Sequence, residues 1–126
     1  MDREDAEKVI NDIVEMAEED DDVVGVVLFG SFLTSESFND VDLAIIVPDE
    51  DKRFDKLLEF QPYDDFFDLS VFEDLPIYVR AEIVREGKLV YSQDYDMVLD
   101  IFFRTIQDFE SFEPFYHDYL RGVVDG

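Results

Sequence analysis

Apolar residues Ala6, Val9, Ile10, Ile13, Val14 and Ala17 recur at spacings of three and four with acids between them, which predicts an amphipathic helix over 4–19. The period then changes. Val23 to Phe29 is a continuous, β-branched run and reads as a buried strand closed by Gly30-Ser31. Asp40 to Val47 reads as a second strand ended by Pro48, residues 49–60 as a short charged helix, and Phe66 to Phe72 as a third strand. Asp74 can cap a helix with Pro76 in its first turn and Gly87 at its end, and Lys88 to Tyr91 forms a short edge strand. From about Ser92 the pattern is helical, with Met97, Val98, Ile101, Phe102, Thr105 and Ile106 on one stripe. A break is expected near Phe109. Ser111 then caps a last helix carrying Phe112, Phe115, Tyr116, Tyr119, Leu120 and Val123 on its apolar side. The expected fold is mixed α/β (α+β), a small sheet with helices packed on it and two C-terminal helices. It forms one domain over 1–126, with an α/β core at 1–91 and a helical hairpin at 92–126.

Charge alters this ordinary picture. The 126 residues include 34 Asp and Glu against 10 Lys and Arg, for a formal net charge of −24. With no basic cluster to neutralise phosphates, duplex nucleic acid and anionic membrane are excluded as direct partners. Two explanations of the acidity stay open: a partner or substrate with a basic surface, or a cytoplasm at molar salt, where the screening length falls to ~3 Å. The bias to Asp over Glu, 21 to 13, resembles that of proteins from salt-accumulating archaea. The absence of cysteine removes disulfides, thiolate metal sites and a Cys nucleophile. No apolar run approaches a membrane span and the N-terminus has no signal-peptide pattern, so a cytoplasmic location is expected.

An Asp-x-Asp alone says little in so acidic a chain; Asp20-Asp21-Asp22 and Asp94-Tyr95-Asp96 have the same pattern. Asp40 and Asp42 differ by context, because they open a strand whose other residues are apolar. Alternation places them on one face and Val41, Leu43 and Ile45 on the other. Two converging acids without a basic neighbour are costly, and a divalent cation offsets that cost. Ahead of them, a strand ending in Gly30-Ser31 offers backbone N–H groups and a hydroxyl to a phosphate. A third carboxylate, Asp68, stands in the apolar strand Phe67-Asp68-Leu69-Ser70-Val71 and calls for a reason. Ligating a metal and drawing a proton from an attacking hydroxyl would supply one.

Gly30-Ser31, an eight-residue spacer, Asp40-Val41-Asp42 and the later Asp68 together resemble the motif of the minimal nucleotidyltransferase (MNT) family, within the DNA polymerase β-like nucleotidyltransferase superfamily. The likeness continues through Leu75-Pro76, Arg80, Ile83, Glu86-Gly87-Lys88 and Tyr91 and covers about residues 5–91. It implies a polymerase β-like fold, ATP as nucleotide donor and two Mg²⁺ held by Asp40 and Asp42. In it Asp68 completes the catalytic and metal site, while Gly30 and Ser31 hold the triphosphate. It further implies an antitoxin that transfers AMP to a tyrosine of a HEPN-domain toxin. Members of the family usually carry Arg and Gly soon after the Gly-Ser and a spacer of about ten; here Phe32-Leu33-Thr34-Ser35 follow, and Asn39 replaces the customary Ser.

Each feature also has a purely structural reading: solvated acids at a strand start for Asp40 and Asp42, a plain turn for Gly30-Ser31, an edge-strand acid for Asp68. The lone His117 reads as a helix residue rather than a base, the Glu18 to Asp22 run as a solvated loop, and the aromatic stripe Phe102 to Tyr119 as core or as part of a partner-binding face. At the level of function the alternatives are an adenylylating enzyme and an antitoxin that acts by binding alone. A small-molecule nucleotidyltransferase is a more distant third, and homo-oligomerisation is open.

Overall fold

The computed structural model describes residues 2–125, with side chains described as far as residue 114. Helix α1 (Arg3–Glu18) starts where the Asp2 side chain accepts from the Asp5 N–H, and it buries Ala6, Ile10, Ile13 and Ala17 along one stripe. Strand β1 (Gly25–Phe29) leads through Gly30 into the short helix α2 (Ser31–Thr34), and β2 (Val41–Ile46) follows. A 3₁₀ turn at Glu50–Lys52 and helix α3 (Arg53–Phe60) cross over to β3 (Phe67–Val71). After a second 3₁₀ turn come α4 (Ile77–Glu86), β4 (Lys88–Ser92) and α5 (Tyr95–Asp125).

The four strands lie in the order β3-β2-β1-β4. β1 is antiparallel to both its neighbours, whereas β2 and β3 are parallel, as the α3 crossover requires. Alternation divides the strand residues between two cores. Val26, Leu28, Val41, Leu43, Ile45, Phe67, Leu69 and Val71 pack with α1 and Phe60 on one face. Val27, Ala44, Ile46 and Phe72 meet Ile83 of α4 and Val98 of α5 on the other. Full burial of each Val, Leu, Ile or Phe contributes roughly 1.5–3 kcal/mol, so the sheet is held firmly on both sides.

Three details differ from the sequence-based expectations. The first concerns the C-terminus. A single helix, α5, runs through the expected break near Phe109 and contains Pro114, so the C-terminal element is one helix and not a hairpin. Thr105 and Phe109 are buried, and Arg85 of α4 stacks over the Phe109 ring at 5.0 Å. Packing against α4 therefore carries the helix past the point where Ser111 offers an alternative start; the Ser111 hydroxyl donates to the Gln107 carbonyl within the helix. His117 and the apolar positions from Phe115 onward lie outside the described side chains.

The second concerns Asp74, which does not cap α4. It closes a 3₁₀ turn at Phe72–Asp74, and Pro76 takes the cap position. The third concerns the run after α1, which is more than a solvated loop. Lys56 of α3 lies 2.8 Å from Asp20, 3.9 Å from Asp22 and 3.1 Å from Glu59, with its side chain only 14% exposed. The hydrogen bond that Lys56 donates to Asp20, with help from the one to Glu59, pushes its ammonium pKa up, so it stays charged. Among the described residues, no helix is long and apolar enough to cross a membrane.

Candidate active site

The motif residues gather where β1 ends and β2 begins. Antiparallel pairing sets Asp42 opposite Phe29, the last residue before Gly30. Parallel pairing sets Asp42 beside Asp68, and in a parallel ladder paired residues share a face. Val41, Leu43, Phe67 and Leu69 go into the α1 core, which leaves both carboxylates on the α4 face. The register is fixed at its entry by the Val41 N–H donating to the Phe66 carbonyl at 2.8 Å. Asp42 is half-buried, while Asp40, just before the strand, and Asp68 are exposed.

Gly30 is the one described residue with positive φ, at 81°. A Cβ there would collide with the Asp42 carboxylate. Glycine is thus needed both for the backbone conformation and for the close approach of the loop to the acid. Ser31 starts α2 and is exposed; its carbonyl accepts from the Ser35 N–H at 2.9 Å.

Burial pushes the Asp42 carboxyl pKa above its ordinary value, and the negative charges of Asp68 and Asp40 push it further. Among the described residues no Lys or Arg forms an ion pair with any of the three. Their electrostatics are therefore coupled and uncompensated. No group of three or more His, Cys, Asp or Glu side chains among the described residues is already set to hold a metal ion. The donor chemistry nonetheless fits a Mg²⁺ that arrives with a polyphosphate, since such an ion takes one or two carboxylates and fills its shell from phosphate oxygens and water. Asp40, Asp42 and Asp68 are the carboxylates from which its protein ligands would come.

A cleft of about 370 Å³ opens at this point, lined by Phe29, Gly30, Leu33, Thr34 and Asp42 on one side and by Val79, Glu82, Ile83 and Glu86 of α4 on the other. Ser31, Asp40 and Asp68 do not line it; they stand outside on exposed ground. The α4 wall went unrecognised in the sequence. Its signal is the spacing of Val79, Glu82, Ile83 and Glu86, which fall on one helical face, but only the tertiary fold turns that face toward Asp42. Among the described residues no Lys or Arg lines the cleft.

Comparison with known proteins finds relatives both in sequence and in structure. Over 77 residues the chain is 25% identical to a Methanocaldococcus jannaschii protein named "putative protein adenylyltransferase"; the match covers 60% of this chain and 61% of that one. In structure it is similar to a chain of a toxin–antitoxin complex with AMP-PNP, at TM-score 0.69 and 18% identity, covering 94% of this chain and 98% of the other. It is also similar to a chain of the complex of tri-AMPylated Shewanella oneidensis HEPN toxin with MNT antitoxin, at TM-score 0.65 and 18% identity over 94% and 95% of the two chains. At such identities the structural likeness speaks to the fold. The sequence profile described as "Polymerase beta, Nucleotidyltransferase" matches residues 11–96, well over half of the chain and all of the motif from Gly30 to Asp68. The chain belongs to the polymerase β nucleotidyltransferase family.

Proposed function

We propose that this domain transfers AMP from ATP to a hydroxyl of a partner protein, a tyrosine of a HEPN-domain toxin, and thereby acts as its antitoxin. The observation that carries this reading is the pairing of Asp42 with Asp68 on one face of the sheet, against Gly30 and with no cation paired to them among the described residues. A fold needs no such pair, and like charges side by side in a ladder oppose it. The protein adenylyltransferase name of the relative and the tri-AMPylated toxin in the similar complex support AMP as the group and a protein as the acceptor.

In the proposed reaction the acceptor oxygen attacks the α-phosphorus of ATP, the bond from that phosphorus to the bridging oxygen of the β-phosphate breaks, and pyrophosphate leaves. Asp68, exposed at the edge of the sheet, takes the acceptor's proton, directly or through water. The Gly30 backbone and the Ser31 hydroxyl orient the triphosphate, and Asp40 and Asp42 hold the cation side. Mg²⁺, when bound, neutralises the charge on the phosphates and lowers the pKa of the attacking hydroxyl. Exclusion of water falls to the apolar walls of the cleft, Phe29, Leu33, Val79 and Ile83.

The test is incubation with Mg²⁺, ATP and a HEPN-domain protein from the same organism, followed by mass spectrometry of that protein. An AMP adduct on tyrosine is expected. With Asp42→Ala, transfer should fall by roughly three orders of magnitude or more, since aligned metal charge supplies several kcal/mol and each ~1.4 kcal/mol is tenfold. A second reading, neutralisation by binding alone, is favoured by one observation, the absence of basic residues from the cleft lining. Neutralisation without an adduct, equally strong with Asp42→Ala, would establish that reading and remove the first.

A further inference from the structure

Between Ser31 and Asp40 the chain forms a small unit of its own. Ser35 donates its backbone N–H to the Ser31 carbonyl at 2.9 Å and its hydroxyl to the Ser37 carbonyl at 3.0 Å, and the Ser37 N–H returns to that hydroxyl at 3.2 Å. The Phe32 and Phe38 rings meet edge to face, with centroids 4.9 Å apart. Among the described residues, apart from the Leu33 N–H to the adjoining Gly30 carbonyl, one hydrogen bond ties positions 31–39 to another part of the chain: Arg3 Nη2, at the start of α1, donates to the Ser35 carbonyl at 3.0 Å. The same guanidinium lies 4.1 Å from the centroid of Phe32 and 5.2 Å from that of Phe38.

We infer that Arg3 is a positioning residue for the nucleotide loop, clamping α2 and the following turn so that Gly30-Ser31 and Asp40 keep their places on either side of Asp42. This rests on the nucleotidyltransfer reading above. Its physical basis is the shape of the group. A planar guanidinium can stack on a ring and donate in its own plane at once, which a lysine ammonium cannot do. Arg3 touches neither the cleft nor the three carboxylates, so its effect on transfer passes through the loop. The segment it grips is the spacer that joins the two halves of the motif. A shift there of a fraction of an ångström misplaces the triphosphate against the acids, and misplacement of that kind is expensive in rate.

The test compares Arg3→Ala and Arg3→Lys with the unaltered chain in three measurements: amide hydrogen exchange without nucleotide, thermal unfolding, and KM for ATP against kcat for transfer. Arg3→Ala should speed exchange at residues 31–40 and leave α1 and the strands as they were. Its unfolding temperature should fall by no more than about 2 °C, as for loss of a few weak contacts made by one exposed side chain. KM for ATP should rise about tenfold with a smaller fall in kcat, as for a site less ready to receive its ligand. Arg3→Lys should restore stability and not the KM. Unchanged exchange at 31–40 would overturn the inference. Faster exchange throughout α1 and the sheet, with a matching loss of stability, would also overturn it and make Arg3 a general brace. If the unaltered chain transfers nothing, the nucleotidyltransfer reading fails by itself, and the exchange data still decide whether Arg3 holds the loop.

Discussion

Two acidic clusters lie at opposite ends of β1, and the chain treats them in opposite ways. Before the strand, Asp20, Asp22 and Glu59 surround Lys56, which sits within 4 Å of all three. Beyond it, no Lys or Arg among the described residues pairs with Asp40, Asp42 or Asp68, and Asp42 is held above its usual carboxylate range by burial and by the other two. Among the described residues, one lysine serves the first group and no basic residue pairs with the second. Where carboxylates only join α3 to the end of α1, an internal cation suffices. Where one of them, Asp42, lines a cleft, the proposed function leaves the charge for a group that arrives from outside.

The contrast stands or falls most heavily on chemistry. Asp68→Asn should lower transfer by about a hundredfold or more, from loss of a ligand and proton acceptor, while Lys56→Ala should leave transfer per folded molecule unchanged. Comparable losses in both would mean the clusters do not differ in role. Next in size is stability. Lys56→Ala leaves Asp20 mostly buried without its partner, at a cost of about 1–2 kcal/mol at low salt, and the deficit should shrink as KCl rises from ~0.1 to ~2 M. Urea unfolding at the two salt levels measures it, and a deficit independent of salt would assign Lys56 to packing.

A smaller effect, of opposite sign, belongs to the uncompensated group. Asp42→Asn without divalent cation should stabilise the fold by less than about 1 kcal/mol, because the relieved repulsion is largely exposed to solvent. Added Mg²⁺ should raise the unfolding temperature of the unaltered chain and not of the variant. The smallest effect comes from Glu73, a control at the far end of β2, whose carboxylate accepts from the Val47 N–H at 2.9 Å. Burial holds its pKa above the ordinary 4.5. The folded state therefore binds this proton more tightly than the unfolded one, and the stability it contributes falls as pH rises from 4.5 through the raised value. Glu73→Gln keeps the acceptor and loses the charge, so unfolding temperatures should coincide near pH 4 and favour the variant by pH 7. Equal curves at both pH values would mean that water reaches the carboxylate.

The elements that read most clearly in the sequence were those with a strong local period. The α1 stripe and the alternation around Leu43 and Leu69 each bury one face, so pattern and packing agree. The C-terminal helix read less well, since Ser111 and the acids near it suggest a start, and only contact with α4 shows why the helix continues. At the site, the spacing around Gly30, Asp40 and Asp42 stood out in one segment of sequence. Phe29, Val79, Glu82 and Glu86 did not, because they meet through the order of strands and the placement of α4. Lys56 was invisible for the same reason. Its partners Asp20 and Asp22 are far away in sequence and carry no pattern that names a lysine.

The parallel pairing of β2 with β3 has a consequence for assembly. Asp68 is flanked by Phe67 and Leu69, both facing the α1 core, so a slip of β3 by one residue would drive its carboxylate among Leu43 and Ile45 and lift a phenylalanine or leucine into the place beside Asp42. Either error buries a charge and exposes a large apolar side chain at once. The alternation thus works as a proofreading code: a molecule that has closed its core has also, without any interaction dedicated to the purpose, delivered the two acids to the same place.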